Sequence, residues 1–258
     1  MSTTQGGANI IQNGLVFCFD PANTKSYVSG STTANDLKNN TELTFRNKQY
    51  FGGTGDILTT IVPTYDATNA GSILFNPSTI LSGDAVYLPN NETITSFNSS
   101  VTLSVWFKKT ISPSWVEVPA GKGFNTPPGS SQAYLFYIIG NLIYGRITTT
   151  IGGSTDLSTT YSLNTWNNVV LTYNGSATSL YLNGELKGTT SKSGTLTSIV
   201  SPFFIGCQHN GGYFPTSAPS KTSEYFRGNI SNVLLYDTAL TDTEVLQNYN
   251  ALKNRFGL

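Results

Sequence analysis

Residues 166–188, WNNVVLTYNGSATSLYLNGELKG, constrain the fold more than any other stretch of the chain. Val169, Leu171 and Tyr173 fall two apart, which is the side-chain period of a half-buried strand. Two shorter strands then flank Asn183-Gly184, a dipeptide whose residues both tolerate positive φ and so suit the type I′ turn of a β-hairpin. An antiparallel sheet follows from these residues alone.

Further runs extend the pattern. Leu15, Phe17 and Phe19 alternate in a first strand. Residues 72–75, 85–88, 101–108, 133–139, 142–148 and 202–205 are additional strand candidates. Within 101–108, Val101, Leu103, Val105 and Phe107 face one way and Trp106 the other. Gly140-Asn141 separates two of these runs as another hairpin turn. Many short strands divided by turn signals indicate a sandwich or jelly roll. Only the end is helical in pattern. Thr241-Asp-Thr-Glu244 fits a capping box, and Val245, Tyr249, Leu252 and Phe256 recur at helical spacing, with Gln247, Asn248 and Lys253 left to face water and Gly257 as the stop. The expected fold is all-β, a two-sheet antiparallel sandwich with a short C-terminal helix. Residues 1–13 form a polar, glycine-bearing arm, and 14–258 show no composition break, so one domain is expected.

Composition narrows the partners. Of 258 residues only 11% are charged, against roughly a quarter in an average soluble domain. Fourteen basic residues balance fourteen acidic ones. Nucleic acid and anionic membranes both call for clustered cations, so neither is an expected partner. No apolar run approaches a membrane span, and the first residues do not have the pattern of a signal peptide. Cys18 and Cys207 are too few for a disulfide framework; a bond between them requires the first and a late strand to be neighbours, and in a reducing cytosol two buried thiols are the expected state.

Three blocks resemble the laminin G-like jelly rolls of the concanavalin A-like lectin/glucanase superfamily: GLVFCFDPANTKSY (14–27), the hairpin stretch 166–188, and FRGNISNVLLYDTALT (226–241). Together they bracket nearly the whole chain. The ending QNYNALKNRFGL (247–258) is similar to laminin G-like proteins of tailed phages. That resemblance implies a non-enzymatic virion protein (head decoration, neck, or tail fibre), assembled in the host cytoplasm, contacting other virion proteins and forming a homo-oligomer on the particle. The alternative is a carbohydrate-binding adhesin for host surface glycans.

Candidate sites are few. The closely spaced carboxylates of the superfamily's glucanases have no counterpart here: Glu117 stands alone in a Pro-flanked loop, while Asp242 and Glu244 belong to the helix start. An enzyme is therefore not expected, and no cofactor is required. The resemblance brings calcium in as a candidate, with Asp20, Asn23 and Asp237 as oxygen donors. Against it, Asp20 before Pro21 is an ordinary turn residue, and no Asp-x-Asp-x-Asp run exists. Sugars dock on exposed aromatic faces beside amides and hydroxyls. Trp115 and the stretch Gln208-His209-Asn210-Gly-Gly-Tyr213-Phe214 combine these groups. The competing reading is a packed loop over a sheet end. Trp106 and Trp166 are assigned to packing.

Overall fold

The computed structural model describes residues 9–49, 57–76, 83–88, 95–126, 129–199, 201–210 and 224–258. Among these, two antiparallel sheets pack face to face. One runs in the order β15 (Glu185–Ser191), β14 (Ala177–Leu182), β13 (Trp166–Tyr173), β8 (Val101–Lys108), β18 (Gly228–Tyr236), β6 (Ser72–Phe75) and β5 (Thr64–Asp66), with β1 (Leu15–Phe19) also paired to β18. The other runs β12 (Gly153–Thr160), β11 (Leu142–Thr149), β10 (Gly129–Ile139), β9 (Glu117–Thr126), β16 (Phe203–Ile205), β7 (Gly83–Leu88), β3 (Glu42–Gln49) and β2 (Thr33–Asn35). Here β4 (Ile57–Thr60) pairs with β3, and β17 (His209–Asn210) runs parallel to β9.

The two faces of the first sheet separate as the alternation requires. Val101, Leu103, Val105 and Phe107 enter the central core with Val169, Leu171, Tyr173, Ile230, Val233 and Leu235. Their neighbours Trp106, Val170, Leu234 and Tyr236 point the opposite way. That outer face is covered too, which is why β13 and β18 are buried along their whole length. The cover is helix α1 (Asp242–Leu252) and the 3-10 turn Lys253–Phe256. Thr241 caps α1 by the anticipated box: its hydroxyl accepts from the Glu244 amide, and the Glu244 carboxylate accepts from the Thr241 amide. Val245 joins the outer-face cluster that contains Val170 and Leu234, and Tyr249, Leu252 and Phe256 pack with the two tryptophans. Gly257 ends the run at φ 74°.

Three local expectations change. Asn248, placed on the water side by its spacing, is buried: its Oδ1 accepts from the Ile11 amide at 2.7 Å and its Nδ2 donates to the Tyr236 hydroxyl at 3.0 Å. Residues 9–12 lie against α1, where the Gln247 side chain also donates to the Asn9 carbonyl. Glu117 is not in a loop; it opens β9, buried against Lys109. At the two hairpin turns, Asn183 and Gly184 both have positive φ, whereas only Gly140 does at the Gly140-Asn141 turn. Cys18 and Cys207 are both buried, in clusters outside the central core, Cys18 on the first sheet and Cys207 on the second.

Candidate functional site

The second sheet is covered unevenly. Over β16 and β7, its outward face carries Ala85, Phe204, Cys207 and Tyr225, with the last held by a bridge to Val118. Over β11, β12 and the last residues of β10 the outward face is partly exposed, at Tyr137, Ile139, Tyr144, Arg146 and Asp156, while Leu135 of β10 is buried. The alternation along β11 fixes which residues stand there. Ile143 and Ile147 lie in the central core, and a Cβ on Gly145 would come within 2.8 Å of Leu171 across the sandwich. Leu142, Tyr144, Arg146 and Thr148 therefore point outward.

Cross-strand register assembles the rest. Tyr137 of β10 lies opposite Tyr144, and Asp156 of β12 lies opposite Arg146. The two tyrosine rings stack with centroids 4.6 Å apart and planes 5° from parallel. The Arg146 guanidinium sits 5.0 Å from the Tyr137 ring centroid. Asp156 grips that guanidinium in a fork, Nε to Oδ1 and Nη2 to Oδ2 both at 2.7 Å. Nη1 donates to Gln132 Oε1 at 2.8 Å, and Gln132 Nε2 reaches Gln208 Oε1 at 3.5 Å. Gln208 Nε2 is buried without a hydrogen-bond partner. The result is a partly exposed shelf of two aromatic rings bordered by a guanidinium, a carboxylate and two amides.

The shelf's electrostatics follow from this packing. Burial, and next the Asp156 charge, push the Tyr137 hydroxyl up to about 12, so it stays protonated as a donor near neutral pH. Arg146 is held charged chiefly by its hydrogen bonds to Asp156.

Of the residues singled out from sequence, Gln208 belongs to this shelf. His209 and Asn210 pair through their backbones with Phe124 and Asn125 beside it. Tyr213 and Phe214 lie outside the described residues. Trp115 is elsewhere: it precedes the start of β9, whereas Gln132 lies opposite Gly123 near the other end. The Arg227 guanidinium covers its ring at 5.1 Å, and its indole N–H is buried without an acceptor. Tyr137, Tyr144, Arg146 and Asp156 were not singled out from sequence. The available signal was the pair of alternating runs around Gly140-Asn141, which sets tyrosines opposite one another once the register is drawn.

The proposed calcium donors are not drawn to one point. Asp20 follows the end of β1 and Asp237 lies beside its beginning, next to Gly14, so a full strand separates them. Both Asp20 oxygens accept from Arg255 Nη1 at 2.9 Å, and the Asn23 side chain accepts from the Lys25 amide. A hard cation needing six to eight oxygens does not fit this arrangement. Among the described residues, no three of His, Cys, Asp and Glu converge as a metal site.

Similar folds occur in botulinum neurotoxin structures and in a sialidase. The binding domain of botulinum neurotoxin DC, solved in complex with rat synaptotagmin II, superposes with a TM-score of 0.62 at 14% identity, covering 93% of this chain and 52% of that one. A structure of botulinum neurotoxin type C, whose cell entry is dependent upon interaction with two ganglioside molecules, gives 0.62 at 15%, covering 93% and 51%. Trypanosoma rangeli sialidase in complex with sialic acid gives 0.60 at 16%, covering 96% and 35%. The chain thus spans about half the length of the toxin domains and about a third of the sialidase, and at these identities the likeness is one of fold. No curated protein matches the chain in sequence. Residues 81–246 match the profile of a laminin G-type family described as the concanavalin A-like lectin/glucanases superfamily, and the chain belongs to it.

Proposed function

We propose that this jelly roll is a non-catalytic, glycan-binding module that holds sugar on the outward face of β10–β12. The observation that carries the reading is the stacked pair Tyr137 and Tyr144, partly exposed and bordered by Gln132, Gln208, Arg146 and Asp156. A pyranose ring presents an apolar C–H face and a rim of hydroxyls. The aromatic surface suits the former, and the exposed edge of the Asp156 carboxylate suits the latter, with the buried Gln132 and Gln208 holding Arg146 in place behind them. The ganglioside- and sialic acid-associated neighbours support a recognition role on this fold, though fold alone does not assign it. Against hydrolysis, glycosidases generally use two carboxylates flanking the bond, and Asp156 is the one acidic residue between Val118 and Thr160. It is also already engaged by Arg146.

Glycan-array and calorimetric binding to the purified chain test this. Binding by the wild type should fall at least tenfold in Tyr144→Ala and stay within about twofold in Trp115→Ala. A wild type that retains no glycan, or a Tyr144→Ala variant that binds equally well, sinks the reading.

We further propose that the module is displayed on a tailed-phage particle, docked to other virion proteins as a homo-oligomer. The supporting observation is the phage-like ending 247–258, which here folds back to close the outer face of the first sheet. Mass spectrometry of purified virions should find the chain in fixed copy number; its absence from mature particles would overturn this setting.

A further inference from the structure

Resting on the glycan-binding reading, we infer that the shelf selects uncharged sugars and rejects those bearing a carboxylate, such as sialic or uronic acids, with Asp156 as the specificity-determining residue. Arg146 is the cation on the shelf, and a guanidinium is the side chain best shaped to bind a sugar carboxylate, through two parallel N–H···O bonds. Here that fork is already filled. Asp156 takes Nε and Nη2 at 2.7 Å each, Gln132 takes Nη1, and the Tyr137 hydroxyl lies 3.5 Å from Nη2. The charges of Arg146 and Asp156 cancel where they meet, so the shelf offers an incoming anion no net attraction.

Displacement is also opposed. A sugar carboxylate that took the fork would leave Asp156 without its partner and facing a second negative charge. Like-charge opposition of this kind is a standard means of rejecting a wrong ligand. The geometry resists rearrangement because Arg146 and Asp156 are register partners on adjacent strands, held by β11–β12 pairing along all eight residues of each strand. A neutral sugar meets no such obstacle. Its ring can lie against the tyrosines while its hydroxyls reach the outer lone pairs of the exposed Asp156 carboxylate.

The test pairs a neutral oligosaccharide with the same oligosaccharide carrying a terminal sialic acid, titrated calorimetrically into the full chain. The wild type should favour the neutral form by at least tenfold. Asp156→Ala frees the guanidinium and should narrow or invert that ratio, raising affinity for the sialylated form at least tenfold. Adding Arg146→Gln to Asp156→Ala should abolish the gain, and thermal melts of each variant establish that it is folded. A wild type that binds the sialylated form as well as or better than the neutral one overturns the selectivity while leaving the glycan-binding reading standing. So does a folded Asp156→Ala variant whose ratio is unchanged. A wild type that binds neither sugar, and no other glycan, overturns both.

Discussion

Phe256 lies flat on Trp106, with ring centroids 3.9 Å apart and planes 9° from parallel. Tyr249 stacks on the same indole at 5.6 Å, and Phe256 also meets Trp166 at 4.8 Å. Phe256 thereby helps seal the outer face of the first sheet. Residues 247–258 are part of the fold, and residues 9–12 lie against the same helix.

Truncating that contact should be expensive in stability. Phe256 is only 6% exposed, so Phe256→Ala removes a buried ring and leaves a void between two tryptophans. The expected loss is about 3–5 kcal/mol. Urea unfolding should show a lower midpoint with an unchanged slope, and tryptophan emission of the folded variant should shift to the red. A midpoint within error of the wild type would mean that the ending does not stabilise the sheet.

Cys18 offers a pH-dependent test. Burial above all, then the charges of Asp20 and Asp36, push its thiol from 9.0 up to about 12, with Arg255 opposing. A folded-state value above the unfolded one makes this contribution complete below pH 9, and it declines as pH rises from about 9 toward 12. Three units correspond to about 4 kcal/mol at most. Tyr137, Tyr161 and Tyr181 are also raised to about 12 by burial and add to the same alkaline decline. The Cys18 share is therefore the difference between wild type and Cys18→Ala: the variant's stability should fall less steeply over that interval. In the native protein at pH 8 a thiol reagent should leave Cys18 unmodified until denaturant is added.

Much of this architecture is legible in the sequence because its middle strands are apolar at period two. The run 101–108 and the hairpin around Asn183-Gly184 announce strand, face and turn together. Strand β12 does not, since GSTDLSTT has a single apolar residue, Leu157, to bury. Strand β9 is masked by Pro119 and three glycine or lysine interruptions, and what holds it is pairing to β10 and β16 rather than local propensity. The shelf escapes for a related reason. Tyr137, Tyr144, Arg146 and Asp156 lie on three strands, and only register makes them neighbours. Loop composition, by contrast, led to Trp115, which Arg227 covers.

The pair Lys109 and Glu117 is buried in the same end of the sandwich. Glu117 accepts from the Arg227 amide at 2.9 Å, and Lys109 donates to the Arg227 carbonyl at 2.6 Å. Burial pushes the lysine down and the carboxyl up, while each partner opposes the other's shift. Glu117→Ala leaves a buried ammonium uncompensated and should destabilise by about 3–5 kcal/mol. Replacing both, as Lys109→Met with Glu117→Leu, should recover most of that loss in denaturant unfolding. A double variant as unstable as the single one would show that the geometry of residues 226–228, rather than charge burial, is what the pair supplies.

Gly121 ties the shelf to the backbone beneath it. It sits opposite Leu135 in the β9–β10 ladder, and Leu135 in turn lies opposite Arg146. A Cβ at position 121 would fall 2.2 Å from Leu135 Cβ, 2.7 Å from its Cα and 2.9 Å from the Tyr134 carbonyl oxygen. Backbone atoms cannot swing aside as a side-chain end can, so Gly121→Ala must push β10 away from β9. The expected loss is about 1–3 kcal/mol, together with weakened glycan binding, because Gln132 and Tyr137 ride on the displaced strand. Gly188→Ala is the matched control. Its Cβ would meet nothing closer than Leu157 Cδ2 at 3.6 Å, an ordinary contact. That variant should be neutral or more stable by about 0.4–1 kcal/mol, through the reduced freedom of the unfolded chain. Equal melting temperatures for the two variants would contradict the close approach of β9 and β10 at Gly121.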